Sequence, residues 1–566
     1  MYQLSTTTAL LLMAAFYGLT FLLSLSIKQK KENVDGYMVS NNDVGFGISA
    51  ASMTATWVWA ASLYAAASSG YKYGLSGALH YGFWGALMIL FIYPFGRRFR
   101  ELAPRAHTLA EIMHGRHGRA SQMILAGSNL LGSSISLMVN FTAAGALVAV
   151  LTPLSFIHGV LIAGGGVLAY TIWSGFRSSL LTDYAQLMAM VAAAVIIVPW
   201  IFFTLGGPRL FEEGLPQLTA EQASFWSKSA ILEQGAPYFV AVLAYAIGNQ
   251  TIAQRLFAVK EELIKPTFIT ATIGYGTIVI GLGMLGLIAL LAGLEPMGGD
   301  LNNLIPQMAG TYLPPFVIGL FFIMIIGALS STADSDLSAL SSIVMTDIYG
   351  KNLARGRPNP KLMLWIGRLT MVVATLVAVI FASLKLDILS MLIFVGALWG
   401  AIVFPVITSL YWDRVTNTAF TSAVIVAFAL FLVTRFELLS LQGAFAVLTE
   451  LLASVGGGVV IGLMAFGFLG KVAGLTAGTV VGLVLIPFMV GFLRDYPVLL
   501  SSLVAYGASA IVTVAISLTS NKRFDFDQLA ERIGAFQTGD AAPADANRDQ
   551  PVVTNQGSNT KCPVSV

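Results

Sequence analysis

Apolar runs of about 20 residues, the length a helix needs to cross a ~30 Å hydrocarbon core, follow one another along this chain with short polar breaks between them. The runs are continuous rather than alternating, which predicts helices and excludes a transmembrane β-barrel. A backbone with no water to bond must close its hydrogen bonds within each segment. The pattern predicts spans at about 5–27, 44–69, 76–96, 121–151, 155–175, 180–206, 236–257, 265–293, 314–347, 361–386, 388–411, 418–435, 441–470, 473–493 and 498–519. This is an all-α polytopic membrane protein of about fifteen transmembrane helices. A half-buried segment over 436–470 would leave the earlier spans unchanged.

Composition agrees. Only 10% of the residues are charged, 56% are hydrophobic and the mean hydropathy is +0.79, whereas a water-soluble chain carries roughly 25% charged residues. The single cysteine, Cys562, lies in a polar tail and excludes disulfides and thiolate metal sites. No basic residue precedes the first run, while Lys28, Lys30 and Lys31 follow it. That run is therefore read as a span and not a signal peptide, with the N-terminus outside and the C-terminus cytoplasmic. Arg97, Arg98, Arg100, Arg105, Arg116, Arg119, Lys260, Lys265, Lys351, Arg355 and Arg357 then fall on the cytoplasmic side, as the positive-inside rule requires. The tail from about 525 onward lacks apolar periodicity and is read as a short amphipathic start followed by disorder.

The spans repeat. Five (44–69 to 180–206) are followed by five more (236–257 to 388–411), each set opening on a Gly/Ser/Thr-interrupted helix and containing an unusually long third helix. The loop before the third helix is cytoplasmic in one set and external in the other, so the sets read as inverted copies, a common architecture of ion-coupled transporters. The organisation expected is a first helix and loop (1–43), an inverted-repeat core (44–415), additional C-terminal helices (416–520) and a cytoplasmic tail (521–566).

The polar residues inside the spans carry the candidate chemistry. Ala328, Ser331 and Thr332 share a helix face. A hard cation such as Na⁺ wants oxygen ligands, although serine and threonine also back-bond within their own helix. Asp334 and Asp336 are carboxylates in a membrane helix, which are costly and mark functional sites. Two residues apart, they cannot share a face, so one is expected to meet a cation or Arg368 and the other to reach cytoplasmic water. Both are candidates for coupling. His114 and His117 read as a solvated basic face, and no nucleophile–base pair or metal cluster suggests an enzyme or an organic cofactor.

The A-x-x-S-[ST] element at Ala328, Ser331 and Thr332, with Asp347-Ile348-Tyr349 ending the helix, resembles the sodium/solute symporters, which have a LeuT-type core. Thr182-Asp183-x-x-Gln186 after Ser174-Gly175-Phe176, and Asn249-Gln250-x-x-x-Gln254-Arg255, are further elements in family order. The resemblance covers roughly residues 5–415. It implies a sodium site formed by the carbonyls of Ala55, Val58 and Ala328 and the hydroxyls of Ser331 and Thr332, with Asp183 close by. It also implies that Asn249 and Gln250 face the substrate. Trp57-Val58-Trp59-Ala60-Ala61, Tyr71-Lys72-Tyr73-Gly74 and Ala103-Pro104-x-Ala106-His107-Thr108 resemble the fungal and plant high-affinity urea symporters.

Trp57 and Trp59 at mid-span, with amide side chains opposite, suit a small, flat, neutral polar solute, urea first. An amino acid such as proline, or a short monocarboxylate, stays open, and so does proton rather than sodium coupling. A channel or a transporter-like sensor is the reading from another class. No nucleic acid is implicated, and the oligomeric state is not set by the sequence.

Overall fold

Fourteen helices among the described residues are long and apolar enough to cross a bilayer. The computed structural model describes residues 1–27, 33–355 and 357–533 and adds one more crossing in two pieces, Phe46–Trp57 and Ala60–Tyr73. Lys28, Lys30 and Lys31, and the tail beyond residue 533, lie outside the described residues. Within the expected 28–43 loop, Val34–Val39 forms a short helix capped by Asn33. The 436–470 region holds one continuous helix, Gly443–Leu469.

The two sets of five are present. The first comprises the broken pair, Leu75–Leu102, Arg119–Leu151, Phe156–Ser174 and Phe176–Thr204. The second opens on Ala236–Gly248 and Gln250–Ala258 and continues through Ile264–Leu291, Pro315–Ile343, Pro360–Ala382 and Ile388–Tyr411. Each opening helix is broken, and each break has a local cause or remedy. Val58 leaves helical geometry at φ −80°, ψ 57° and Trp59 is extended. A carbonyl stranded there, that of Thr56, is satisfied by Thr332 Oγ1 from the opposite repeat at 2.7 Å. In the second repeat Asn249 is extended, and its side chain accepts from the Thr251 backbone N–H at 2.9 Å, as an N-capping asparagine does. Irregular backbone at membrane depth persists only where protein or a cavity meets its polar groups.

Trp399 ties the halves together. Its indole lies between two glycines, Gly132 of the Arg119–Leu151 helix and Gly248 at the second break, and a Cβ on either would strike the ring. Its Nε1 donates to the Ser128 carbonyl at 3.3 Å. The Pro315–Ile343 helix passes directly into a π-helical stretch, Val344–Leu353, a geometry often found at functional positions.

Candidate transport site

The two broken helices cross the two long third helices at a central cavity with a volume of about 20 Å³, room for roughly one water molecule. Thr56, Trp57 and Trp59 line it from the first break and Tyr245, Asn249 and Thr251 from the second. Gly132, Ile135 and Ser136 come from one long helix, Thr332 and Asp336 from the other, and Val395 and Trp399 from the last helix of the second repeat. The rings meet edge to face, Trp57 with Tyr245 at 6.0 Å and Tyr245 with Trp399 at 5.1 Å between centroids. They therefore form a cage rather than a parallel slot. Trp57 Nε1 is buried without a hydrogen-bond partner among the described residues. No lysine, arginine or histidine is among the lining residues.

Beside the cavity lies a buried polar cluster. Asp183 is fully buried and accepts from Ser331 Oγ, from Ser52 Oγ, and from Arg255 Nη2 at 2.8 Å. Arg255 also donates to Ser335 Oγ at 2.7 Å and to the Thr251 carbonyl at 3.1 Å. Asp334 accepts from Ser179 Oγ at 2.6 Å and Tyr170 OH at 2.7 Å. The Asp336 carboxylate takes a 2.6 Å bond from Ser136 Oγ. Ser331 Oγ thus lies on Asp183, and Thr332 Oγ1 lies on the carbonyl of Thr56 at the first break.

Three expectations need correction. Neither carboxylate pairs with Arg368: the buried stripe of that helix is Met363, Gly367, Met371 and Thr375, and Arg368 stands beside it. Asp336 does not reach outer or inner water but faces the cavity, and is only 1% exposed. Gln250 does not line the cavity either. One residue past the break, it is turned toward another segment, donating to the His107 carbonyl at 2.9 Å and accepting from Leu109 N. Ser52, Ser179, Tyr245 and Trp399 were not singled out from the sequence. Arg255 stood in the Asn249-to-Arg255 element with no role given to it, although a guanidinium in an otherwise apolar span needs a carboxylate partner.

At the end of the molecule where the arginine-rich loops gather, a second network closes the core. His107 stands between two carboxylates, with Nε2 2.7 Å from Asp35 and Nδ1 3.2 Å from Glu111, and Lys351 reaches Glu111 at 3.2 Å. Thr108 and Gln122 both donate to Asp347 at 2.8 Å. Burial opposes the imidazolium charge, but Asp35 and Glu111 outweigh it and hold the His107 pKa up to about 9. Burial likewise opposes the Glu111 charge, and Lys351 with His107 reverses that, holding it down to about 2.

A raised histidine value means stabilisation that is complete below an unfolded pKa of about 6.5 and is lost as pH rises through the folded one. Thermal unfolding in detergent should therefore show stability falling as pH rises from neutral through 9. His107→Gln should remove that slope; an identical slope in the variant would show that other groups set it.

A family model for the sodium:solute symporters matches residues 37–426, well over half of the chain. The chain belongs to the sodium:solute symporter family. Membership supports ion-coupled symport, and the symporters most similar in sequence differ in solute. A probable urea active transporter of Schizosaccharomyces pombe is 23% identical over 393 residues, 63% of this chain and 58% of that protein. The sodium/pantothenate symporter of Escherichia coli is 26% identical over 444 residues, 74% of this chain and 89% of that one. A high-affinity proline transporter of Bacillus subtilis is 24% identical over 431 residues, with coverages of 71% and 86%. The chain thus spans little more than half the length of the urea transporter. A solved sodium-coupled sialic acid symporter, in a substrate-bound outward-open state, superimposes with a TM-score of 0.66 at 18% identity. The match covers 84% of this chain and 98% of that one, which shows the shared LeuT-type fold.

Proposed function

We propose that this symporter imports a small, neutral, polar solute, urea first, with sodium as the coupling ion. The observation that carries the reading is the lining of the cavity, aromatic walls with hydroxyl and amide groups between them and no cationic residue; at about 20 Å³ it is closed around space for one water, and its walls move apart to admit a solute. A carboxylate-bearing solute such as pantothenate, a monocarboxylate or proline would need a partner for its negative charge, and burying that charge unpaired is costly. Urea asks only for a donor to its oxygen and acceptors for its N–H groups. The unpartnered Trp57 N–H is the donor. Sodium is assigned to the Ala55, Val58 and Ala328 carbonyls with Ser331 and Thr332, beside Asp183. The basic loops support a cytoplasmic His107 network and an N-terminus outside.

Uptake of labelled urea, proline, pantothenate and acetate into proteoliposomes, under sodium or proton gradients imposed separately, tests this directly. Sodium-driven urea uptake is expected. Trp57→Phe, which keeps a ring and deletes the donor, should weaken urea several-fold, and Trp59→Phe much less. Uptake of acetate or proline with no response to urea would overturn the solute assignment, and uptake driven by protons alone would overturn the ion.

A further inference from the structure

Asp336 is the one feature of the cavity that a neutral solute does not require. A carboxylate offers about four lone-pair positions, and the hydroxyl of Ser136 occupies one. The remaining positions belong to a side chain that lines the cavity. The charged groups acting on it from neighbouring elements are Arg255 and, on its own helix, Asp334. Arg255 is already committed to Asp183, Ser335, Ser52 and the Thr251 carbonyl. The buried acidic groups are then three, Asp183, Asp334 and Asp336, against one guanidinium, Arg255, and a cation arriving beside Asp336 favours the ionised form of its carboxyl. Trp57, Tyr245 and Trp399, set edge to face with one another, line the same cavity, and aromatic rings attract cations.

We propose, building on the assignment of this cavity as the solute site, that it also accepts small N–H-bearing monocations of the guanidinium type, held on the Asp336 carboxylate within the aromatic cage. Guanidinium has the planar outline of urea with its oxygen replaced by a third N–H-bearing group. It pairs with a carboxylate through parallel charge-assisted hydrogen bonds, and its flat faces suit aromatic rings. The Trp57 N–H, which serves the oxygen of urea, has no counterpart in the cation. The two ligands therefore use different polar groups of one cage.

The test is titration of the full-length protein in proteoliposomes with guanidinium chloride at non-denaturing concentrations, followed by intrinsic tryptophan fluorescence. Urea, tetramethylammonium chloride and sodium acetate are titrated in parallel. Saturable guanidinium binding that competes with urea is expected. Asp336→Asn should lower the guanidinium-to-urea affinity ratio roughly ten- to hundredfold, the loss of a hydrogen bond to a charged group. Asp336→Glu, which keeps the charge, should retain measurable guanidinium binding and serves if the Asn variant does not fold.

Absence of guanidinium binding to the wild-type protein would overturn the proposal. So would tetramethylammonium binding as tightly as guanidinium, because then the rings alone and not the carboxylate select the cation. An unchanged ratio in Asp336→Asn would overturn it as well. Failure of the urea reading would show separately, as urea neither binding nor entering the vesicles while guanidinium binding is scored on its own.

Discussion

Arg255→Gln is expected to leave little folded symporter to assay. The guanidinium is buried and holds Asp183 at 2.8 Å while also serving Ser335 and Ser52. Removing one partner of a buried ion pair costs about 3–5 kcal/mol, because the other charge is left without compensation. That is a large part of the 5–15 kcal/mol that ordinarily separates folded from unfolded chains. Here Asp334, bonded to the same Ser179 and Ser335 hydroxyls, would add its own repulsion. The double variant Asp183→Asn/Arg255→Gln removes both charges and should recover most of the thermal stability, without recovering ion-coupled uptake. Size-exclusion profiles of heated detergent extracts read both outcomes. An Arg255→Gln protein as stable as the wild type would mean that the pair contributes nothing to the fold.

Ser331→Ala with Thr332→Ala should behave in the opposite way: a folded protein with a damaged response to sodium. The two hydroxyls donate to Asp183 and to the Thr56 carbonyl, and each retains lone pairs for a cation. Deleting them leaves side chains small enough for the helix and removes two of the five proposed ligands. Each 1.4 kcal/mol of lost ion affinity raises the dissociation constant about tenfold. The sodium concentration for half-maximal uptake should accordingly rise by roughly tenfold or more. A well-inserted double variant with an unaltered sodium titration would remove the site from these residues.

Run length made the spans legible, and the Gly/Ser/Thr interruptions marked the opening helix of each set. The opposite orientation of Asp334 and Asp336 was legible too, because two residues on a helix turn through about 200°. What each carboxylate meets was not legible. Tyr170, Ser179 and Ser136 come from three other helices, at separations of 155 to 200 residues from the carboxylates they bond. No local period encodes such pairings. At the second break the extended Asn249 lines the cavity, whereas Gln250, the first residue of the next helix, braces the His107 segment. A motif that places both at one break does not say which points where.

The helix from Pro315 through the π-helical stretch to Leu353 bears Ser331, Thr332 and Asp336 near its middle and Asp347 and Lys351 near its end. Asp336 and Asp347 are eleven residues apart, almost three full turns, so they share one side of a single shaft. The upper part meets the proposed ion and solute, and the lower part is bolted through Thr108, Gln122 and Glu111 to the segment around His107. The proposed ion site and the His107 network are then carried by one continuous helix. No relay of side chains has to carry word from one to the other, because any axial rotation that reseats the hydroxyls against the first break also turns Asp347 and Lys351 against their partners.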